Sequence, residues 1–451
     1  MTRTPVEDEA PGTAAATPPA PQATAPARSR QEVDLATYVP GVTMGGGEAD
    51  DTLRVLLKRA VELRPHLRAE QAATEARGTY SQETHELFAE AGFYRMLQPK
   101  KYGGLELGVP AFYRVITEIS RGCPSTGWCL CLGSGHALQV ASYFGERAQQ
   151  EAFGASGHFV APSSGQGMNL TITPADGGVT VSGKWRYCSG VPYSTHFLAM
   201  AEIPDPEIEG SGDTFSWFVV PREVYTVLDD WGGVFGMKGS GSNSVVMENV
   251  FVPRHMIAFG GWLTSVSGPT VGAELHGNPT YGGNFMGFAE GEIAAIAAGI
   301  AYAAVDEYEE KLLTSNVPYR HPPIRRVDHP DFQRWWGTGL AWADAAQAIS
   351  TRGGQLYEEH SRLAVEGIEP FSHDKAMRLN DMYFAAEELA YNTIQQLLRN
   401  GTTSSTLDGQ PMQRYFRDIV TMCSRADSLE RMSVPGALEY LGTRSAPEAN
   451  S

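Results

Sequence analysis

The feature that most constrains this chain is a change of periodicity that happens twice. From about Asp51 to Ala152 apolar residues recur at three- and four-residue steps, as in Leu53, Leu56, Leu57, Ala60 and Leu63, and Thr84 to Tyr94 repeats the habit. Between about Gly157 and Phe259 that spacing gives way to short β-branched and aromatic runs broken by Gly and Pro, such as Val179-Thr180-Val181-Ser182 and Phe215 to Val220. Helical periodicity returns at Glu290 and persists nearly to Leu441, divided by Pro318, Pro322-Pro323 and Asn400 to Ser405 into about four long helices. A helix repeats every 3.6 residues and a strand every two, so one pattern cannot serve both. The order predicts an α+β fold: an Ala/Pro-rich tail over 1–45, a helical domain over 46–156, a β-domain over 157–260, and helices over 261–451 entered by a Gly-rich loop.

Bulk properties narrow the function. A chain of 451 residues can bury a large core. Its formal charge of -17, from 35 basic against 52 acidic side chains, repels phosphate backbones, and no Lys/Arg cluster offsets it. Nucleic acid is therefore not an expected partner. Nor is a membrane, because the longest apolar run, Ile293 to Val305, is short and full of Ala and Gly, and reads as a core helix. Five cysteines without CxxC spacing imply neither a disulfide framework nor a zinc site, which points to a reduced, cytoplasmic protein. The first thirty or so residues lack the pattern of a secretory signal and read as a disordered tail.

Several short segments could carry chemistry, and each also has a plain structural reading. Gly183-Lys184-Trp185-Arg186-Tyr187-Cys188-Ser189-Gly190 is either a clamp for a flat ring or a strand with a core aromatic and a Ser-Gly turn. Ser125-Thr126-Gly127-Trp128 is followed eight residues later by His136, which sits after the small residues Leu132 to Gly135. That His is either a pocket imidazole or a packed helix residue. Ser163 and Ser164 are pocket hydroxyls or part of a Ser-Gly turn. Met237 to Ser244 carries glycines that let a loop approach a ligand, but lacks the GxGxxG spacing of a dinucleotide-binding unit. Gln413-Arg414-Tyr415-Phe416-Arg417-Asp418 is a binding segment or an ordinary Arg-Asp pair on a helix.

Taken in order, these segments resemble the acyl-CoA dehydrogenase superfamily, and especially its flavin-dependent monooxygenase branch, over nearly everything from residue 50 onward. The resemblance implies an N-terminal helical domain, a central β-barrel-like domain and a C-terminal antiparallel helical bundle, assembled as a homotetramer. It implies reduced FMN or FAD, supplied by a separate flavin reductase, with O2 as co-substrate. Trp185, Tyr187, Cys188, Ser189, Ser163, Ser164, Ser404, Gln413, Arg414 and Arg417 are then the expected flavin contacts. The catalytic candidates are His136, Ser189 and Arg425. The loop His276 to Tyr281 is the expected wall or lid of the substrate cavity.

Two departures from the family pattern sharpen this. The glutamate that many acyl-CoA dehydrogenases carry shortly after Arg-Asp is missing from Ile419 to Ala426, which leaves only Glu290 or Glu292 as a base for that chemistry. Many monooxygenases of the branch have a His eight residues after the Arg of Arg-Asp, where this chain has Arg425. An always-charged guanidinium cannot act as a neutral base, though it can bind an anion. Either His136 serves alone, or the substrate brings its own acidic hydroxyl, or Arg425 recognises a carboxylate or enolate. The expected activity is hydroxylation, through a flavin C4a-hydroperoxide, of an aromatic or polyketide-like small molecule. N-oxygenation of an amine or amino sugar and acyl-CoA dehydrogenation are the alternatives.

Overall fold

Six helices precede the first strand: α1 (Glu48–Arg77), α2 (Gln82–Ala91), α3 (Val109–Gly122), α4 (Pro124–Gly135), α5 (Ala137–Tyr143) and α6 (Glu146–Gly154). Their limits follow from local chemistry. Ser81 caps α2 by accepting the Thr84 N–H at 3.2 Å, and Gly92 closes it in the left-handed region at φ 84°. Pro110 and Pro124 lie in the first turns of α3 and α4, where a missing N–H breaks no helical bond. The computed structural model describes residues 48–154, 157–165, 167–203, 214–260 and 269–425, with 437 and 441. The expected N-terminal tail, Gly261 and Gly268 of the Gly-rich stretch, and most of the helical pattern from Ala426 to Leu441 lie outside them.

The strands are β1 (Ser163–Ser164), β2 (Gly167–Ala175), β3 (Gly178–Trp185), β4 (His196–Ile203), β5 (Thr214–Pro221), β6 (Thr226–Val227), β7 (Val245–Pro253) and β8 (Ile257–Ala258). They form two four-stranded sheets, ordered β1-β4-β5-β8 and β2-β3-β7-β6, in which only the β1–β4 pair is parallel. Both are open sheets, so the described strands do not close into the barrel that the resemblance implied. What joins the sheets is aromatic: Trp185 on β3 meets Phe197 of β4 and Phe218 of β5 edge-on, at 6.1 and 5.9 Å between ring centres.

The last helices are α7 (Val271–His276), α8 (Met286–Thr314), α9 (Pro330–Val365), α10 (His373–Arg399) and α11 (Pro411–Cys423). Part of the Gly-rich stretch expected as loop is thus helix α7, because Thr270 caps it and Gly277 ends it. Neighbours alternate in direction. Phe288 at the start of α8 faces Tyr357 near the end of α9, whereas Tyr308 near the end of α8 stacks on Phe332 near the start of α9. In the same way Gln396, late on α10, donates to the Trp335 carbonyl early on α9 at 3.0 Å.

Helix α8 carries the apolar run and is covered by protein along almost its whole length. Its small residues permit that. A Cβ on Gly299 would lie 2.5 Å from the Ser120 side chain, so α3 and α8 can touch only while that position stays bare. Across the same contact Arg121 grips Asp306 with two bonds of 2.7 and 2.6 Å.

Candidate active site

Four of the segments singled out in the sequence meet at one place. The Gly190 N–H donates to the Ser240 carbonyl at 2.9 Å, and Cys188 N–H to the Asn243 carbonyl at 3.3 Å, so the clamp is docked on the Met237–Ser244 turn. From α4, the Cys129 thiol donates to the same Ser240 carbonyl at 3.1 Å. From α11, Asp418 accepts the Met237 N–H at 2.6 Å, and Arg417 donates to the Phe235 carbonyl at 2.9 Å. Gly190 adopts φ 79°, and a Cβ there would press on the Cys129 carbonyl at 3.1 Å, which is why the clamp ends in glycine.

The clamp residues separate sharply by exposure. Trp185 is fully buried and donates its indole N–H to the Met200 carbonyl at 3.2 Å. Its partners are the Met200 carbonyl, Phe197 and Phe218, so what the structure gives it is a role in joining the sheets. Cys188 is also fully buried, with burial raising its thiol pKa to about 12, so it acts as a neutral packing group. Tyr187, between them, is 53% exposed and adopts φ 58°, a left-handed conformation that costs a non-glycine residue energy. Arg186 lies over its ring at 5.1 Å and Trp231 meets it edge-on at 6.5 Å. Tyr187 with Trp231 and Arg186 makes a small aromatic surface beside a cation, and Phe235, whose carbonyl Arg417 holds, is itself 57% exposed. Such a surface suits a flat, partly anionic cofactor, so the residues present fit a flavin.

Hydroxyls line the other side of the clamp. Ser189 is bonded to Ser242 at 2.8 Å and Ser242 to Ser240 at 2.7 Å. Ser164 on β1 donates to the Arg186 carbonyl at 2.6 Å, and Ser163 beside it is half-buried. This short strand connects the clamp to His136, because Ala161, just before it, accepts from His136 Nδ1 at 2.7 Å.

His136 sits at the joint between α4 and α5, buried, where the chain turns after Gly135. Burial lowers its pKa to about 4, with the Ala161 carbonyl opposing only partly, so the imidazole is neutral near pH 7. A carbonyl can only accept, which fixes the proton on Nδ1 and leaves Nε2 as an acceptor with no bonded partner among the described residues.

Arg425 differs from its sequence-based expectation. Its guanidinium donates to Glu290 at 2.8 Å, to Glu387 at 2.6 Å and to the Met422 carbonyl at 3.1 Å. It is occupied by two carboxylates, so it is not an open anion receptor. Burial pushes the Glu387 carboxyl up to about 7, which Arg425 offsets only in part because it is shared with Glu290. Glu292 is buried against α4, where its carboxyl lies 3.7 Å from the Cys131 thiol and burial raises its pKa well above the usual carboxylate range. Neither glutamate is therefore an unengaged base.

The α11 segment is likewise committed to the fold. Arg414 donates to Glu75 at 3.1 Å and Gln71 at 2.9 Å, and Arg417 pairs with Glu75 at 2.5 Å. Burial opposes ionisation of Glu75, but Arg417 and Arg414 outweigh it and hold its pKa below the usual range. Gln413 accepts from Arg417 at 3.1 Å. Ser404 is exposed on a short turn and bonds Thr402 at 2.6 Å, apart from the clamp's bonds. In the expected lid, His276 bonds Gln149 at 2.8 Å and Asn278 donates to Glu106 at 2.9 Å. Glu75, Glu290 and Glu387 carry no motif. Only their long-range pairing reveals them, and that is invisible in a single sequence.

Comparison with known proteins gives the family. Residues 50–155 match the acyl-CoA dehydrogenase N-terminal domain and residues 292–426 the acyl-CoA dehydrogenase C-terminal domain. A pigment production hydroxylase of Rhodococcus sp. is 30% identical over 84% of this chain and 93% of its own. The oxygenase component of an FADH2-dependent resorcinol hydroxylase from Rhizobium sp. is 27% identical over 72% and 79%. The crystal structure of a 3-HSA hydroxylase from Rhodococcus superposes with a TM-score of 0.75 at 26% identity, covering 86% of this chain and 97% of the other. The chain belongs to the acyl-CoA dehydrogenase superfamily, in its branch of flavin-dependent monooxygenases.

Proposed function

We propose that this protein is the oxygenase component of a two-component system that hydroxylates a phenol or other electron-rich aromatic, such as a polyketide intermediate. The balance is one aromatic C–H, one O2 and one reduced flavin giving one C–OH, one water and one oxidised flavin. A separate reductase returns the two electrons. The bound flavin supplies the oxygen activation, and Tyr187, Ser189, Ser163 and Ser164 are the residues proposed to hold it. His136 carries the reading. Its neutral imidazole, with Nδ1 committed to Ala161 and Nε2 open, can accept a phenol proton and so raise the electron density of the ring. The buried walls keep water from competing for activated oxygen.

Among the described residues no free carboxylate occupies the stretch after Arg417-Asp418, and Glu290 and Glu292 are engaged, so dehydrogenation of acyl-CoA is the weaker reading. Two carboxylates around one guanidinium make the Arg425 corner acidic. That disfavours substrates bearing a carboxylate and is what keeps amine N-oxygenation as a second reading. By the same resemblance the assembly is a homotetramer, and the free cysteines accord with the cytoplasm.

The test supplies the protein with reductase, NAD(P)H, flavin and 18O2 over a panel of phenols and aryl amines. One 18O atom per product molecule is expected on a phenol carbon. Stoichiometric hydrogen peroxide with no product, or bleaching of bound flavin by an acyl-CoA without oxygen, would reject the reading.

A further inference from the structure

Beside the clamp, three buried hydroxyls form a chain that ends at Ser189. Ser240 and Ser242 are 2.7 Å apart, Ser242 and Ser189 2.8 Å apart, and all three residues are at most 6% exposed. Their backbone is fixed by Gly190 N–H and the Cys129 thiol, which both donate to the Ser240 carbonyl. A hydroxyl has one proton to donate and lone pairs to accept with. Ser242, bonded on both sides, can donate one way and accept the other, or accept from both. Seen from Ser189, two arrangements result. In one, Ser189 donates inward and presents an acceptor outward. In the other, Ser242 donates to Ser189, whose own proton is free to be donated outward. Passing between them rotates three O–H bonds and transfers no proton between oxygens.

We propose that Ser242 and Ser240 are positioning residues that let Ser189 serve as acceptor or donor according to the redox state of the flavin. This rests on the reading that Ser189 borders the flavin. The N5 atom of a flavin accepts a hydrogen bond when oxidised and carries an N–H when reduced, so a fixed donor would suit only one state. An oxygenase that admits reduced flavin and ends its cycle with oxidised flavin must hold both.

The experiment measures dissociation constants of oxidised flavin and, anaerobically, of reduced flavin for the wild type, Ser242→Ala, Ser189→Ala and the double variant. The thermal midpoint of the flavin-free protein controls for folding. Ser242→Ala should change the ratio of the two constants by about three- to tenfold, the scale of one lost hydrogen bond, and the double variant should show no further change than Ser189→Ala. Should Ser242→Ala not fold, Ser240→Ala interrupts the chain one hydroxyl further in and should shift the ratio less, in the same direction. Equal weakening of both states, or no change in either, overturns the proposal. If Ser189→Ala itself leaves both constants unchanged, the placement of Ser189 at the flavin falls, and the proposal with it.

Discussion

Helix α11 is anchored by arginine at both ends, and the two anchors differ in charge. At its start Arg414 and Arg417 share Glu75, while Asp418 nearby holds the Met237 N–H. Two buried arginines there meet two carboxylates, and the exposed Lys238 stands 4.0 Å from Glu75 as well, so no carboxylate lacks a matching cation. At its end a single Arg425 lies between Glu290 and Glu387, with acid in excess. Burying charge is costly unless it is fully paired, so a balanced cluster can serve the fold alone. An unbalanced one costs stability, which marks the Arg425 corner as a candidate for a role beyond the fold.

The largest effect expected from this contrast is at the balanced end. Arg414→Ala leaves the half-buried Glu75 with Arg417 and deprives the buried Gln71 Oε1 of its donor, and should destabilise the protein by about 2–3 kcal/mol. Chemical denaturation measures it. A loss below about 1 kcal/mol would show that this anchor is not structural.

The second prediction asks which group takes the substrate proton if Arg425 cannot. His136→Ala should leave flavin binding unchanged and lower hydroxylation of a phenol by about a hundredfold or more. Because burial holds the imidazole pKa at about 4, wild-type hydroxylation should keep this base neutral well below pH 6.5, and an acid limb due to it should appear nearer pH 4. Intact turnover in the alanine variant would remove His136 from the chemistry.

How much of this was legible in the sequence differs between the two ends. The alternation of periods located the strands between helices because Val179 to Ser182 and Leu53 to Leu63 each repeat a local geometry. The placement of His136 at a helix joint follows small residues that the sequence shows, Gly133 to Gly135. At Trp185 the sequence is ambiguous: a Trp in a Gly-bounded strand looks alike whether it faces a ligand or the opposite sheet, and its contacts with Phe197 and Phe218 appear only in three dimensions. Arg425 was noticed as an absence of histidine. Its meaning lay in Glu290 and Glu387, 135 and 38 residues away along the chain. No local pattern encodes a pairing at that distance.

The smallest effect tests the unbalanced end itself. Glu387 has a folded pKa of about 7, raised by burial above its ordinary value of 4.5. For an acid with a raised pKa, the folded state holds the proton more tightly, so its contribution to stability is present at low pH and is lost as pH rises from about 4.5 through 7. Glu387→Gln keeps a neutral acceptor for Arg425 and removes the titration. The variant should therefore gain stability relative to the wild type between pH 5 and pH 8, by an amount on the order of 1 kcal/mol after allowing for the coupling to Glu290 and Arg425. A difference that does not change with pH would mean that Arg425 keeps Glu387 ionised throughout. The corner would then hold a fixed carboxylate rather than a carboxyl that a cationic substrate would ionise on binding.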